Sequence, residues 1–312
     1  MTPEFARRVA RIEENLSQVI RGKADCIHVV LIAMVAGGHT LLEDVPGTGK
    51  TTLAKSIARS IDGIFRRIQF TPDLLPADIT GSSYYNPREG VFEYREGPVF
   101  CNVLLADEIN RTSPRTQSAL LEVMSENQIT VDGKRRDLPQ PFFVIATQNP
   151  TEFHGTYPLP EAQLDRFMVR VTLGYPSPEE EIEVLYSQND VHPFDSLKPV
   201  LTCKDVLDMQ TEVKTVKVDR SIAEYILRIV TAARADARVK LSVSPRGSLA
   251  LYRTSQARAA LAGRAYVLPE DVQALVKPVL AHRITLDTRA RYSGITPETV
   301  LEEALSAIPV PR

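Results

Sequence analysis

One segment constrains this chain more than any other: Pro46-Gly47-Thr48-Gly49-Lys50-Thr51-Thr52. A short apolar run, Thr40-Leu41-Leu42-Glu43, precedes it, and a helical pattern over 53–60 follows. In a unit of strand, glycine-rich turn and helix, the turn's backbone N–H groups curl round one point. The helix N-terminus adds its positive dipole there, so the unit cradles an anion such as a phosphate. The ammonium of Lys50 and the hydroxyls of Thr51 and Thr52 lie at the mouth of that cradle.

The surrounding sequence agrees with a layered fold. Further apolar runs stand at 65–70, 103–106 and 142–146, each followed by a polar or Gly/Pro-rich turn. Alternating with helical patterns, they predict a three-layer α/β arrangement around buried parallel strands. The rhythm changes at Gly174-Tyr175-Pro176-Ser177-Pro178, which reads as a linker. Beyond it the patterns are helical, and Leu268-Pro269-Glu270-Asp271 is a good helix start, with Pro and acids in the first turn. The expected division is an α/β half over 1–175 and an all-helical half over 179–312. Two stretches break the α/β rhythm, 81–100 and 128–138. The second holds Asp132-Gly133 between two short runs, a strong hairpin signal.

The chemistry follows from strand ends. Lys50 is placed to reach β- and γ-phosphates and Thr51 to ligate magnesium. Val103-Leu104-Leu105-Ala106 ends in Asp107-Glu108, and adjacent strand residues point to opposite sides. Asp107 is therefore expected to hold magnesium through its water shell and Glu108 to polarise an attacking water. The run 142–146 ends in Thr147-Gln148-Asn149-Pro150, where Asn149 is a candidate γ-phosphate sensor. Arg166 and Arg246 are of a type that stabilises a transferring phosphoryl group. Taken by themselves, such arginines are more often surface ion-pair partners, and sequence order does not lift them above that.

Bulk properties narrow the function. The net charge of -2 gives no sign of a basic face for a phosphate backbone, though a total leaves room for a local patch, and with no Trp and 6% aromatics a stacking platform is not expected, so nucleic acid is not an expected partner. Cys26, Cys101 and Cys203 form no CxxC pair, which points away from zinc and disulfides. The longest apolar run, 27–36, falls short of the about 20 residues of a membrane-spanning helix. A cytoplasmic protein without membrane insertion is expected.

At these residues the chain resembles the AAA+ ATPases. Three strings, Asp107-Glu108-Ile109-Asn110-Arg111, Ala146-Thr147-Gln148-Asn149-Pro150 and Glu161-Ala162-Gln163-Leu164-Asp165-Arg166-Phe167, resemble the MoxR family in particular. The likeness runs from Val19 to the C-terminus. Asp44 stands where the phosphate-loop pattern has its first Gly, and MoxR-like proteins are similar there.

The resemblance implies a five-stranded parallel sheet, a helical lid, and ATP or ADP with Mg2+ as ligands. It implies that Ile20, Arg21 and Gly22 lie beside adenine and that Asn149 is sensor 1. Arg246 would be sensor 2, reaching its own subunit's nucleotide, and Arg166 an arginine finger acting in the next subunit. The stretch 81–100 would be an insert in helix 2, and 128–138 the hairpin before sensor 1. Implied partners are further copies in a hexameric ring, a von Willebrand factor A domain protein and a client for chaperone-like remodelling or metal-cofactor activation. A nucleic-acid motor and a metal-chelatase-like motor subunit share the same clade and stand as alternatives.

Overall fold

Eleven strands are found in the computed structural model, which describes residues 2–45, 47–149, 156–187 and 193–311. In chain order they are β1 (Thr40–Glu43), β2 (Phe65–Gln69), β3 (Gly81–Asn86), β4 (Val91–Glu96), β5 (Val103–Asp107) and β6 (Gln128–Val131). There follow β7 (Lys134–Asp137), β8 (Phe143–Gln148), β9 (Val169–Val171), β10 (Val239–Leu241) and β11 (Thr285–Leu286). Five of them pair in parallel in the order β2-β5-β8-β1-β9. From β1 the chain runs to the far edge, returns strand by strand to β8, and then crosses β1 to lay down β9. The order therefore reverses beside β1, and in open α/β sheets the crevice at the strands' carboxyl ends at such a point is where ligands bind.

Both faces of the sheet are covered, as continuous apolar strands require. Leu42, Leu105, Ile145 and Val169 face one core, and Leu41, Leu104, Val144 and Ala146 face the other. The first core does not stop at the linker. It joins the helices Pro3–Ser17, Ala24–Val35 and Lys50–Ser60 to the helices Cys203–Val213, Arg220–Ala235, Pro245–Leu261 and Pro269–Leu280 in one contiguous apolar cluster. The helix start at Leu268 forms as its residues predict: Asp271 accepts the Leu268 N–H at 2.8 Å and is itself held by Arg264. The helical half also carries an antiparallel pairing of β10 with β11, which no alternating pattern announces.

The two irregular stretches are hairpins outside the main sheet, β3 with β4 and β6 with β7. Asp132 and Gly133 both have positive φ, the geometry of the two-residue turn whose twist matches its strands. The hairpins touch: Ser83 donates to Asp132, and the Arg136 guanidinium lies 3.8 Å from the centre of the Tyr94 ring. Among the described residues no helix is long and apolar enough to cross a membrane.

Candidate functional site

The C-terminal edge of the sheet gathers most of the candidate residues. The loop before Lys50 follows β1, Asp107 ends β5, and Asn149 follows β8, on three adjacent strands. Gly47 and Gly49 have φ of 87° and 90°. A Cβ on either would meet nothing within 4 Å, so the left-handed backbone and not crowding is what requires glycine. Lys50 opens the helix Lys50–Ser60, and its Nζ donates to the carbonyls of Asp44 at 3.1 Å and Val45 at 3.0 Å. The ammonium is thus folded across the loop's mouth. Thr51 and Thr52 lie in the first turn, half-buried, and Thr48 donates to the Val45 carbonyl at 3.3 Å. Pro46 lies outside the described residues.

Asp107 and Glu108 are set by one buried hydroxyl that the sequence reading gave no role. Thr147 donates to Asp107 Oδ1 at 2.6 Å and accepts the Glu108 N–H at 2.9 Å. The other Asp107 oxygen accepts from Arg67 Nη2 at 2.6 Å. Glu108 has φ of 58°, a costly region for a residue with a side chain, so its backbone turns sharply out of the strand. Its carboxylate accepts from Gln69 Nε2 at 2.6 Å and lies 3.2 Å from Arg111. Gln69 ends β2, one strand over, which is why no local pattern marked it.

Asp44, in place of a glycine, spends its carboxylate on backbone N–H groups. Oδ2 accepts the N–H groups of Leu173 at 2.7 Å and Gly174 at 2.8 Å, and Oδ1 accepts that of Val45 at 3.0 Å. The phosphate loop is thereby tied to the start of the linker. Next to it, Glu43 joins Gln148, the neighbour of Asn149, to Arg170 at 3.1 Å, and Arg170 reaches Glu298 of the helix Pro297–Ala307 at 2.6 Å.

Ile20 and Gly22 lie in the turn between the helices Pro3–Ser17 and Ala24–Val35. With Ser17, Arg21, Ala24 and Glu180 they line a cleft of about 360 Å3. The oxygen donors at the sheet edge suit a hard cation: a threonine hydroxyl and one carboxylate, completed by ligand oxygens and water, is how magnesium is usually held. Among the described residues no His, Cys, Asp and Glu cluster could cage a metal alone, as that mode of binding implies.

Arg166 and Arg246 are elsewhere. Both line a cleft of about 310 Å3 with Gly37, Gly38, His39 and Asp165, at the N-terminal ends of β1 and β9. Arg166 donates to the Leu121 carbonyl at 3.0 Å and to Ser125. The expectation that Arg246 reaches its own subunit's nucleotide does not fit. The length of β1, at about 3.3 Å per residue, separates that cleft from the phosphate loop by more than about 10 Å. The physical reason is docking: the helix Pro245–Leu261 packs on Ala24–Val35, and buried Arg283 fastens the helical half to the loop before β9. Sequence order cannot reveal that docking.

His39 seals the floor of the same edge. It takes the Val144 N–H on Nδ1 at 3.1 Å, which leaves the proton on Nε2 to donate to the Met124 carbonyl at 3.0 Å. Burial pulls its pKa down to about 4. Burial likewise pushes the Cys26 and Cys101 thiols up to about 12, so neither is a ready nucleophile.

Known proteins share this architecture. Residues 39–169 match the family described as ATPase family associated with various cellular activities (AAA), and residues 231–304 match the AAA lid domain. YeaC of Bacillus subtilis strain 168, itself uncharacterized, is 52% identical, with 96% of this chain and 93% of the relative covered. Chaperone MoxR1 of Mycobacterium tuberculosis is 40% identical over 96% of this chain and 81% of its own. Protein MoxR of Paracoccus denitrificans is 31% identical over 99% and 98%. A crystal structure of a candidate ATPase from Cytophaga hutchinsonii superposes with a TM-score of 0.92 at 38% identity, over 99% of this chain and 96% of that one.

Proposed function

The chain belongs to the MoxR family of AAA+ ATPases, and from that premise we propose that it hydrolyses ATP with magnesium at sites shared between adjacent copies and uses the cycle to remodel client proteins. The observation that carries the reading is the separation of the phosphate loop and acids from Arg166 and Arg246, on opposite edges of one sheet. One copy then offers a cradle without its arginines and arginines without their phosphate. Stacking the N-terminal edge of one copy on the C-terminal edge of the next supplies both, and repetition closes a ring, for which six copies are proposed. The division into a core over 1–175 and a lid over 179–312 is part of this reading.

In it, the loop N–H groups and Lys50 hold the phosphates, and Ile20 and Gly22 border the adenine. Thr51 and Asp107 hold the magnesium, which when bound neutralises phosphate charge. Glu108 takes the proton of the attacking water, kept in place by Thr147 through its backbone N–H. Asn149 orients that water or the γ-phosphate. Arg166 and Arg246 of the adjacent copy meet the charge that develops on the transferred group.

The name of the mycobacterial relative, a chaperone, supports protein remodelling. So do the paired hairpins, which present Tyr84, Tyr85 and Phe92 to solvent. The basic run 134–136 does not favour nucleic acid, because Arg135 is paired with Asp137 and Arg136 is stacked on Tyr94. A cytoplasmic location and a von Willebrand factor A domain partner complete the proposal.

The test is a mixing experiment on steady-state ATPase rate. Glu108→Gln and Arg166→Ala are each expected to lose roughly 100-fold or more in kcat. Mixed, they form junctions with an intact cradle and an intact arginine, and the rate recovers. A mixture as inactive as its components would sink the shared site. Stimulation by DNA that fades with salt would turn the reading towards a nucleic-acid motor.

A further inference from the structure

The two arginines come from different parts of the chain, Arg166 from the loop before β9 and Arg246 from the first turn of the helix Pro245–Leu261. Asp165 touches both parts. Its Oδ2 accepts from the Ser244 hydroxyl at 2.8 Å, and that hydroxyl in turn accepts the Arg246 N–H at 3.1 Å, capping the helix. Its Oδ1 accepts from Arg283 Nε at 2.8 Å. Arg283 is 5% exposed and reaches main-chain carbonyls on both sides of the joint, Phe167 at 2.6 Å, Asp165 at 3.3 Å, Met168 at 3.4 Å and Val279, while its Nη1 also lies 2.8 Å from His282 Nε2. The helix leaves room for this side chain at Gly247, where a Cβ would stand 2.8 Å from Arg283 Cδ.

A capping hydroxyl, a carboxylate and a buried guanidinium thus form one staple whose centre is the residue next to Arg166. We propose that Asp165 is a positioning residue, which with Arg283 and Ser244 fixes Arg166 and Arg246 as a pair at the spacing that the adjacent copy's phosphates require. The inference rests on the shared-site reading. It makes the arginine pair a single preset unit, so that docking of one copy on the next delivers both guanidinium groups together. Without the staple each arginine keeps its charge and its place in the chain and loses its aim.

The experiment uses the full chain carrying Asp165→Asn, Ser244→Ala or Ser244→Thr, with Arg166→Ala as the reference. Asp165→Asn is expected to lower kcat roughly 100-fold, the scale of an ångström of misplacement. Its own cradle is intact, so a fluorescent ATP analogue binds as tightly as to the parent chain. Mixed with Glu108→Gln, which carries a sound staple, it regains activity as Arg166→Ala does. Ser244→Ala lowers kcat with KM unchanged, and Ser244→Thr, which keeps the hydroxyl, restores it. The proposal is overturned if Asp165→Asn holds its kcat while Arg166→Ala loses it. It is equally overturned if Arg166→Ala recovers in the mixture and Asp165→Asn does not. Should Asp165→Asn fail to fold, the Ser244 pair decides: equal rates for Ala and Thr overturn it. Failure of Arg166→Ala itself to recover marks instead the loss of the shared site beneath it.

Discussion

Replacing Asp44 by glycine would complete the phosphate-loop pattern, and the structure predicts that this harms the protein. Glycine helps where φ is positive, but the described non-glycine residues with positive φ are Asp62, Glu108, Asn127 and Asp132, so Asp44 sits in ordinary backbone. Asp44 is 4% exposed, and Leu173, whose N–H its carboxylate accepts, is equally buried. Leaving the Leu173 and Gly174 N–H groups without an acceptor costs about 1–3 kcal/mol each, hence about 2–6 kcal/mol for Asp44→Gly. Added chain flexibility contributes a further ~0.5–1 kcal/mol. Asp44→Asn keeps an acceptor for those two groups but turns a donor towards the Val45 N–H, so it falls between. Equilibrium urea unfolding followed by circular dichroism measures the order parent, Asn, Gly. An Asp44→Gly chain as stable as its parent would refute the tether, and with it the claim that this carboxylate works on the linker.

Two further outcomes follow from single polar groups. Thr147→Val keeps the shape but removes the hydroxyl shared by Asp107 and Glu108; kcat should fall at least about 10-fold, with Thr147→Ser close to parent, and equal rates for both would dismiss the role. The folded chain holds His39 with its pKa lowered to about 4 from the ordinary 6.5, so the unfolded chain binds the proton first as pH falls. Stability from this group is complete above the unfolded value and is lost progressively as pH falls towards the folded one, by about 3 kcal/mol. His39→Gln should be less stable at neutral pH and shed that share of the pH dependence; an unchanged slope would contradict it.

What was legible in the sequence was what is local. The loop from Gly47 to Thr52 carries its own strand and helix, and Asp132-Gly133 carries its own turn. Both are decided by backbone preference within a few residues. Contacts across the sheet were not legible. Thr147 meets Asp107 because β5 pairs with β8 in the register Ala106 with Ala146, and nothing near either residue encodes that register. The substitution at Asp44 was visible as a departure, yet its partners lie 129 and 130 residues away. Arg246 was recognisable as a phosphate-binding type, while its distance from its own phosphate loop depends on how the helical half docks. That docking is the sum of many apolar contacts and one buried guanidinium.

The apolar cluster that runs unbroken from the N-terminal helices through the sheet into the helical half has a mechanical meaning. A machine needs compliance somewhere, and a continuous close-packed interior is a poor place for it, since sliding its parts would open voids. In the proposed ring each copy would then behave as one stiff lever. The give would lie in the joints between levers, and a stroke begun at one phosphate would be felt first by the neighbour, through the arm that carries the two arginines.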